Sequence, residues 1–268
     1  MRGLMARTGT SDVWAFQPEA HAVPCLLPPV PALDDIAPSK HDADERSVIA
    51  LVGLAFEARI ASGPGVVVVC RNSEREFAAS LQQALKRGCR SIISFGVAGG
   101  LAPHLRPGNW VVGSSIVDAE RAHPTDRAWS QKILAMIPGA EHRPIAGVDR
   151  AVANPDAKRR MHAETGAAVV DMESHLVARL ASMHGLSFAA VRVVIDPAHR
   201  VVPDAALAGM RPDGGTSVMA VMRELITGPS QLSGLLRIAY DAYAARRALL
   251  RVRRRLGPDF GCLDLGEA

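Results

Sequence analysis

Residues 91–101 read SIISFGVAGGL, an apolar run that leads into three glycines within five positions. Glycine adopts backbone conformations closed to other residues, and its missing side chain lets other groups approach the main chain closely. The pattern predicts a buried strand followed by a glycine loop that contains Gly96, Gly99 and Gly100. Because the spacing matches neither common phosphate-binding glycine motif, a tight turn and a ligand-binding loop are equally open at this point.

Strand-like and helix-like patterns alternate along residues 47–230. The apolar runs that predict strands lie at 48–58, 66–70, 109–118, 167–172 and 188–196. The helical patterns lie at 76–88, 157–166 and 174–185, and each ends at a glycine, which commonly terminates a helix. Such alternation is typical of a three-layer α/β domain whose sheet is largely buried.

The composition is that of an ordinary globular protein, with 48% hydrophobic and 22% charged residues in a chain of 268. Aromatic residues make up only 4%, which argues against a stacking surface for single-stranded nucleic acid. The four cysteines form no paired motif, so we expect no metal site and a reduced, cytoplasmic location. No apolar run reaches the roughly 18 residues of a membrane span.

The two ends of the chain differ from the middle. Residues 1–46 are rich in proline and show no periodic pattern, which predicts a loosely ordered N-terminal extension. Residues 231–268 contain an amphipathic helical pattern at 235–256 with seven arginines and one aspartate. Such a helix could lie on an anionic membrane surface, or it could pack its apolar stripe on the domain and leave its arginines in water. The sequence leaves both alternatives open.

Carboxylates follow several of the predicted strands. Glu57 comes after the first strand, Asp171 and Glu173 stand before a helix, and Asp196 ends the last long apolar run. Ligand sites of open α/β sheets gather at the carboxyl ends of strands, so these side chains are candidates for a shared site. Each one alone is equally compatible with a turn residue or a helix-terminal acid.

Taken in order, these motifs resemble a known family. The strings SFGVAGGLAPHLRPGNWVV at 94–112 and VVDMESHLVARLASMHGLSFAAVRVVID at 169–196 are similar to the nucleoside phosphorylase and nucleosidase superfamily. With the basic tail, VRVVIDPAHRVVPDAAL at 191–207 looks most like the bacterial hopanoid-associated phosphorylases. The resemblance implies a phosphorylase/hydrolase-like α/β/α fold with a central mixed sheet.

The resemblance also implies an activity, which is cleavage of the N-glycosidic bond of a 5′-substituted adenosine. In the hopanoid-associated branch the substrate is adenosylhopane, and cleavage releases adenine and leaves ribosyl- or phosphoribosyl-hopane. No cofactor is implied, and either phosphate or water serves as co-substrate. The alternatives are a methylthioadenosine/S-adenosylhomocysteine nucleosidase and, outside catalysis, a purine-nucleoside sensor. We expect a homo-oligomer, with a dimer favoured. The expected ligand is a lipid-linked or small-molecule nucleoside, and no nucleic acid is expected. Residues 235–256 are expected to make peripheral membrane contact.

The catalytic roles that the resemblance implies fall on carboxylates. Asp196 is the general acid that protonates the departing purine, and its apolar strand is expected to raise its pKa so that it carries the proton. Glu57 matches the acidic position that handles the nucleophile or the sugar. Glu173 accepts hydrogen bonds from the ribose hydroxyls, and Met172 packs beneath the sugar.

Further binding roles are implied for main-chain groups and for two arginines. The amides of Gly96, Val97 and Ala98 are expected to line the nucleophile pocket, where the superfamily often has a serine in place of Val97. Val152 is expected to contact the purine edge through its backbone. Arg71 or Arg75 could bind phosphate, since the arginine fork suits that anion, although each taken alone is better explained as a solvated side chain.

Overall fold

The computed structural model of the chain describes residues 48–70, 74–202 and 232–262. Eight strands in these ranges form one sheet with parallel and antiparallel pairs. The strands are β1 (Val48–Val52), β2 (Val66–Cys70), β3 (Ser91–Gly100), β4 (Trp110–Val117), β5 (Ala122–Pro124), β6 (Glu141–Gly147), β7 (Val169–Asp171) and β8 (Ser187–Asp196). The helices are α1 (Ala55–Ala61), α2 (Glu74–Lys86), α3 (Arg127–Met136), α4 (Pro155–Thr165), α5 (Ser174–His184) and α6 (Leu232–Leu256). The prediction of an α/β fold with a central mixed sheet is confirmed.

The sheet closes on itself in its middle. Strand β3 pairs in parallel with β8 along almost its whole length, with β1 at its first residues and with β7 at Gly99 and Gly100. Strand β8 also pairs with β4, β4 with β6, and β6 with β7, so these five strands form a ring. Long strands such as β3 therefore carry different neighbours at their two ends, and the glycine-rich end of β3 lies at the closure.

The strands alternate their side chains between two buried faces. On β8, Ala189, Val191 and Val193 belong to the main core cluster, which is completed by side chains of α1, α3 and α6. Because successive residues of a strand point to opposite faces, Arg192 and Val194 face the other side of the sheet. Helix α5 packs against β3, β6 and β8. This alternation puts a fully buried arginine on the face away from the main core.

The glycine stretch is the clearest correction to the sequence prediction. Residues 96–100 do not form the predicted loop but continue β3, because the main chain pairs with β8 through Gly99 with one irregularity after Ala98. Helix α1 was also missed, since the apolar run at 48–58 ends as a strand at Val52. The segment at 119–156 holds β5, α3 and β6, which the sequence analysis did not predict.

Other local predictions are confirmed. Strand β2 has the predicted bounds, and the helices at 157–166 and 174–185 appear as α4 and α5. Gly166 and Gly185 adopt the left-handed conformation after the last helical residue, with φ of 65° and 60°. Glycine is favoured there because it has no side-chain clash at positive φ.

Helix α6 packs against β8 with one face and exposes another. Its inner residues Ala245, Leu249, Val252 and Leu256 are fully buried in the main core cluster. The described part of the C-terminal region therefore shares a core with the strands. The predicted extension at 1–46 lies outside the described residues, and no helix in the described ranges has the length and apolar character to cross a membrane.

Candidate active site

Glu57 lies in the first turn of α1 and is almost completely buried. Its Oε2 accepts hydrogen bonds from the backbone N–H groups of Gly53 (2.9 Å) and Leu54 (2.8 Å), and its Oε1 accepts one from Val97 (2.7 Å). Burial raises the pKa of Glu57 from 4.5 to about 7, and the nearby Glu173 adds to the rise, while Arg192 and the backbone donors oppose it. The carboxyl group is thus fixed in place, and its pKa lies near neutral pH.

Two glycines leave the space that the buried carboxylates occupy. A Cβ added to Gly96 would lie 2.6 Å from Arg192 Nη1 and 2.7 Å from Glu57 Cδ. A Cβ added to Gly53 would lie 2.5 Å from Glu173 Oε1. Real Cβ atoms essentially never approach other atoms under 3.0 Å, so any larger residue would displace these groups. Gly53 and Gly96 thus make room for the buried carboxylates and the guanidinium.

Arg192 is the centre of a buried polar network on the same side of the sheet. Its Nε donates to Asp171 Oδ2 (2.6 Å), and its Nη2 donates to Ser94 Oγ (2.5 Å) and Ser174 Oγ (3.1 Å). Ser174 Oγ in turn donates to Asp171 Oδ2 (2.5 Å). A buried guanidinium is tolerable when its charge is paired and its N–H groups are hydrogen-bonded. Asp171 pairs the charge and the network satisfies Nε and Nη2, whereas Nη1 has no hydrogen-bond partner among the described residues.

Glu173 stands beside this network at the N-terminus of α5. Its Oε2 lies 3.9 Å from Arg192 Nη2, and its backbone N–H donates to Asp171 Oδ1 (3.0 Å). Asp171 therefore holds both the start of α5 and the guanidinium, and so fixes Glu173 relative to Glu57. Met172 lies between the two acids and is partly buried. The structure thus brings the M-E pair and Glu57 together, as the shared-site hypothesis requires.

Asp196 ends β8 and pairs in register with Gly99 of β3. Its carboxyl contacts the ammonium of Lys158, a fully buried residue of α4, while 15% of the Asp196 side chain is exposed. Burial raises the pKa of Asp196 above its ordinary value, and the charges of Lys158 and Arg200 oppose the rise. The direction agrees with the expected proton donor, but the surroundings are less apolar than the sequence indicated.

The groups line up along β3. Glu57 and Arg192 flank Gly96, and Asp196 flanks Gly99, three residues further on. At about 3.3 Å per strand residue, the two positions are roughly 10 Å apart along the strand. Glu57 and Asp196 therefore lie beside one short stretch of β3.

The remaining predicted site residues are placed as follows. Val97 directs its side chain into the main core, and its N–H is already bonded to Glu57, while Ala98 is buried. Val152 lies between β6 and α4, with its side chain packed against a small cluster that includes Leu101 and Val170. The prediction for Arg71 lies outside the described residues; Arg75 belongs to the first turn of α2, and its side chain is outside them too.

Sequence reasoning missed Arg192 and Lys158. Arg192 interrupts an otherwise apolar strand, and a lone charge in such a run signals a buried ion pair. Lys158 gives no comparable signal, because it is one of several charged residues in α4. It is buried by the packing of the helix, which the sequence pattern does not show. Within the described ranges, no three histidine, cysteine or acidic side chains cluster as a metal site would require.

The fold and the family match below assign the chain to the enzymes of the nucleoside phosphorylase or nucleosidase class. A model of the phosphorylase superfamily matches residues 56–227, more than half of the chain, and the chain belongs to that superfamily. No curated protein matches the chain.

Solved structures resemble it in fold at low sequence identity. The 5′-methylthioadenosine/S-adenosylhomocysteine nucleosidase of Helicobacter pylori, complexed with a pyrrolidine compound, has a TM-score of 0.55 and 13% identity and covers 80% of this chain and 99% of its own. The nucleosidase from S. pneumoniae with the inhibitor MT-ImmA has a TM-score of 0.54 and 16% identity, over 78% of this chain and 99% of its own. Futalosine hydrolase of Helicobacter pylori has a TM-score of 0.50 and 16% identity, over 57% and 89%.

Proposed function

We propose that the protein hydrolyses the N-glycosidic bond of a 5′-substituted adenosine, with Glu57 as the base that activates water. The observation that carries the proposal is the buried Glu57 carboxyl, fixed by three backbone N–H groups and with its pKa raised to about 7. A general base is most effective when its pKa is near the working pH.

The charges around Glu57 favour water over phosphate as the nucleophile. Arg192 supplies positive charge here, but Asp171 neutralises it, and Glu173 adds a second negative charge nearby. A phosphate dianion would therefore meet net negative charge in a buried site, whereas a neutral water molecule would not. The amide of Val97, which could have bound an anion, is bonded to Glu57.

The remaining chemistry is divided between the sugar and the base. Glu173 accepts hydrogen bonds from the ribose hydroxyls, as a carboxylate suits a vicinal diol. Asp196 donates its proton to the purine as the glycosidic bond breaks and negative charge accumulates on the leaving group. The positions of Glu57 and Asp196 beside one stretch of β3 support this division, with water at one end of the nucleoside and the purine at the other.

The test is adenine release from methylthioadenosine, followed with and without phosphate. We expect release that does not depend on phosphate and that Asp196→Asn abolishes, while nucleoside binding stays within about tenfold of wild type. Asp156→Asn, which removes an exposed carboxylate on α4, serves as the matched control and should retain activity. Strict phosphate dependence would contradict hydrolysis, and full turnover by Asp196→Asn would remove Asp196 from the mechanism.

We propose adenosylhopane as the specific substrate, on the strength of the sequence resemblance to the hopanoid-associated branch. Methylthioadenosine and S-adenosylhomocysteine are the alternative substrates, favoured by the fold similarity to the nucleosidases of Helicobacter pylori and S. pneumoniae. Values of kcat/KM for adenine release from these nucleosides separate the candidates. A preference of tenfold or less for adenosylhopane would reject the hopanoid assignment (about 1.4 kcal/mol).

A peripheral membrane contact remains part of this proposal, and the outer face of α6 is the part that could make it. Leu236, Tyr240 and Tyr243 are exposed, and Arg247, Arg251 and Arg254 continue the same line of the helix at three- and four-residue spacing. Tyrosine and arginine suit the interface of an anionic bilayer. Flotation with anionic vesicles tests the contact, which Tyr240→Ser should weaken.

A further inference from the structure

Lys158 is a buried cation that the proposed reaction has not yet used. It is the fourth residue of α4, and its side chain is completely shielded from solvent. A lysine in this place is unfavourable on two grounds. Its charge lies close to the positive end of the helix dipole, and an ammonium group loses its hydration when it is buried. Local structure alone therefore gives no reason for its position.

The ammonium of Lys158 meets the carboxyl of Asp196. It donates a hydrogen bond to Oδ2 of Asp196, and a second, weaker one to the carbonyl of Pro197 at 3.3 Å. Asn154 caps the N-terminus of α4: its side chain accepts the backbone N–H of Asp156, and its carbonyl accepts that of Lys158 (3.0 Å). Lys158 thus reaches the end of β8 from the capped start of α4 and occupies one of the two carboxyl oxygens of Asp196.

We propose that Lys158 is a positioning residue for proton donation by Asp196: it holds Oδ2 and leaves Oδ1 to carry the proton to the purine. This inference rests on the proposed function. During the step, the Oδ1–H bond breaks, a bond forms between that proton and a purine nitrogen, and the electron pair of the glycosidic bond goes to the leaving purine. Asp196 is left as a carboxylate. The lysine charge, already in place, stabilises that carboxylate as it forms.

Lys158 also affects the pH range over which Asp196 can donate its proton. Two cations face Asp196: Lys158 from α4, and Arg200 from the segment that follows β8. Arg200 is also paired with Asp241 of α6, so the direct contact belongs to Lys158. Without Lys158, less positive charge would oppose the effect of burial on the pKa of Asp196. Asp196 would then hold its proton to a higher pH and release it less readily.

The experiment compares Lys158→Met, Lys158→Gln and Lys158→Arg with wild type, and Lys86→Met, on the exposed face of α2, is the control. The carboxyl of Asp196 is titrated by carbon-13 NMR, its signal being assigned by its loss in Asp196→Asn. Adenine release is measured on the same samples. We expect the Asp196 titration to move upward by about one pH unit or more in the two neutral variants, and kcat to fall at least about tenfold.

The arginine variant keeps the charge and should recover most of both quantities. If Lys158→Met fails to fold, Lys158→Gln carries the same comparison with a polar side chain. A titration and a kcat that stay at wild-type values in a folded neutral variant would overturn the inference. If wild type releases adenine from none of the nucleosides, the proposed function fails, whereas an active wild type with unaltered neutral variants rejects only the role of Lys158.

Discussion

Replacement of Gly96 by alanine is the most direct probe of the carboxylate site. The added methyl group would stand 2.6 Å from Arg192 Nη1 and 2.7 Å from Glu57 Cδ, whereas ordinary contacts begin near 3.4 Å. Glu57 Oε1 is the nearest atom of all, so the carboxylate would have to retreat by more than 0.7 Å and the guanidinium by about 0.8 Å, the differences from 3.4 Å. Neither can move freely, because three backbone donors fix Glu57 and the network with Asp171 and Ser94 fixes Arg192.

The expected cost has two parts. Overpacking of a close-packed interior destabilises the protein by about 1–3 kcal/mol. Displacement of a general base by nearly 1 Å lowers kcat by roughly tenfold to a hundredfold. The assay is kcat for adenine release at saturating nucleoside, with the free energy of unfolding measured by urea titration on the same protein.

Gly113→Ala is the matched control for this experiment. Gly113 is also a buried strand glycine, but its added methyl group would meet the apolar atoms Ile145 Cδ1 at 3.1 Å and Ala190 Cβ at 3.2 Å. We expect a loss of stability there with kcat within about threefold of wild type. If Gly96→Ala retains wild-type kcat, the argument that the glycine makes room for a catalytic carboxylate is wrong.

Three further predictions concern charge, packing and the surface. Folding raises the pKa of Glu57 from 4.5 to about 7, so its contribution to stability is present below pH 4.5 and is lost as the pH rises through 7. The loss has an upper bound of about 3 kcal/mol. Urea titrations at several pH values should show that Glu57→Gln lacks this pH dependence. Leu249→Ala should destabilise the protein by about 2–5 kcal/mol, whereas Leu236→Ala on the exposed face of the same helix should change stability by less than about 0.5 kcal/mol. In vesicle flotation, Tyr240→Ser should reduce the bound fraction, and equal binding by wild type and variant would remove the outer face of α6 as the contact.

The sequence predicts the fold where local pattern and buried environment agree. Strand β2 and the glycine-terminated helices α4 and α5 are of this kind, since apolar runs and left-handed glycines have local causes. The glycines of β3 were misread because a glycine that avoids a clash across the fold has the same sequence signature as one that allows a turn.

The same limit applies to the site. Glu57, Glu173 and Asp196 could be predicted as neighbours because carboxylates near the ends of predicted strands converge in α/β sheets. Their partners could not be found by that rule. Arg192 lies in the middle of β8, and Lys158 comes from a helix whose buried face is visible only once α4 is packed. Which carboxyl faces which cation is decided by contacts between residues distant in sequence.

The neighbours of the two acids explain how similar side chains can take opposite roles. In the proposed reaction Asp196 gains negative charge as it gives up its proton, and the cation of Lys158 stabilises that change. Glu57 loses negative charge as it accepts a proton from water, and the nearby Glu173 carboxylate favours that change. Burial alone raises both pKa values and cannot distinguish donor from acceptor. The sign of the adjacent charge makes the distinction, so exchange of roles between the two carboxyls would require exchange of their neighbours as well.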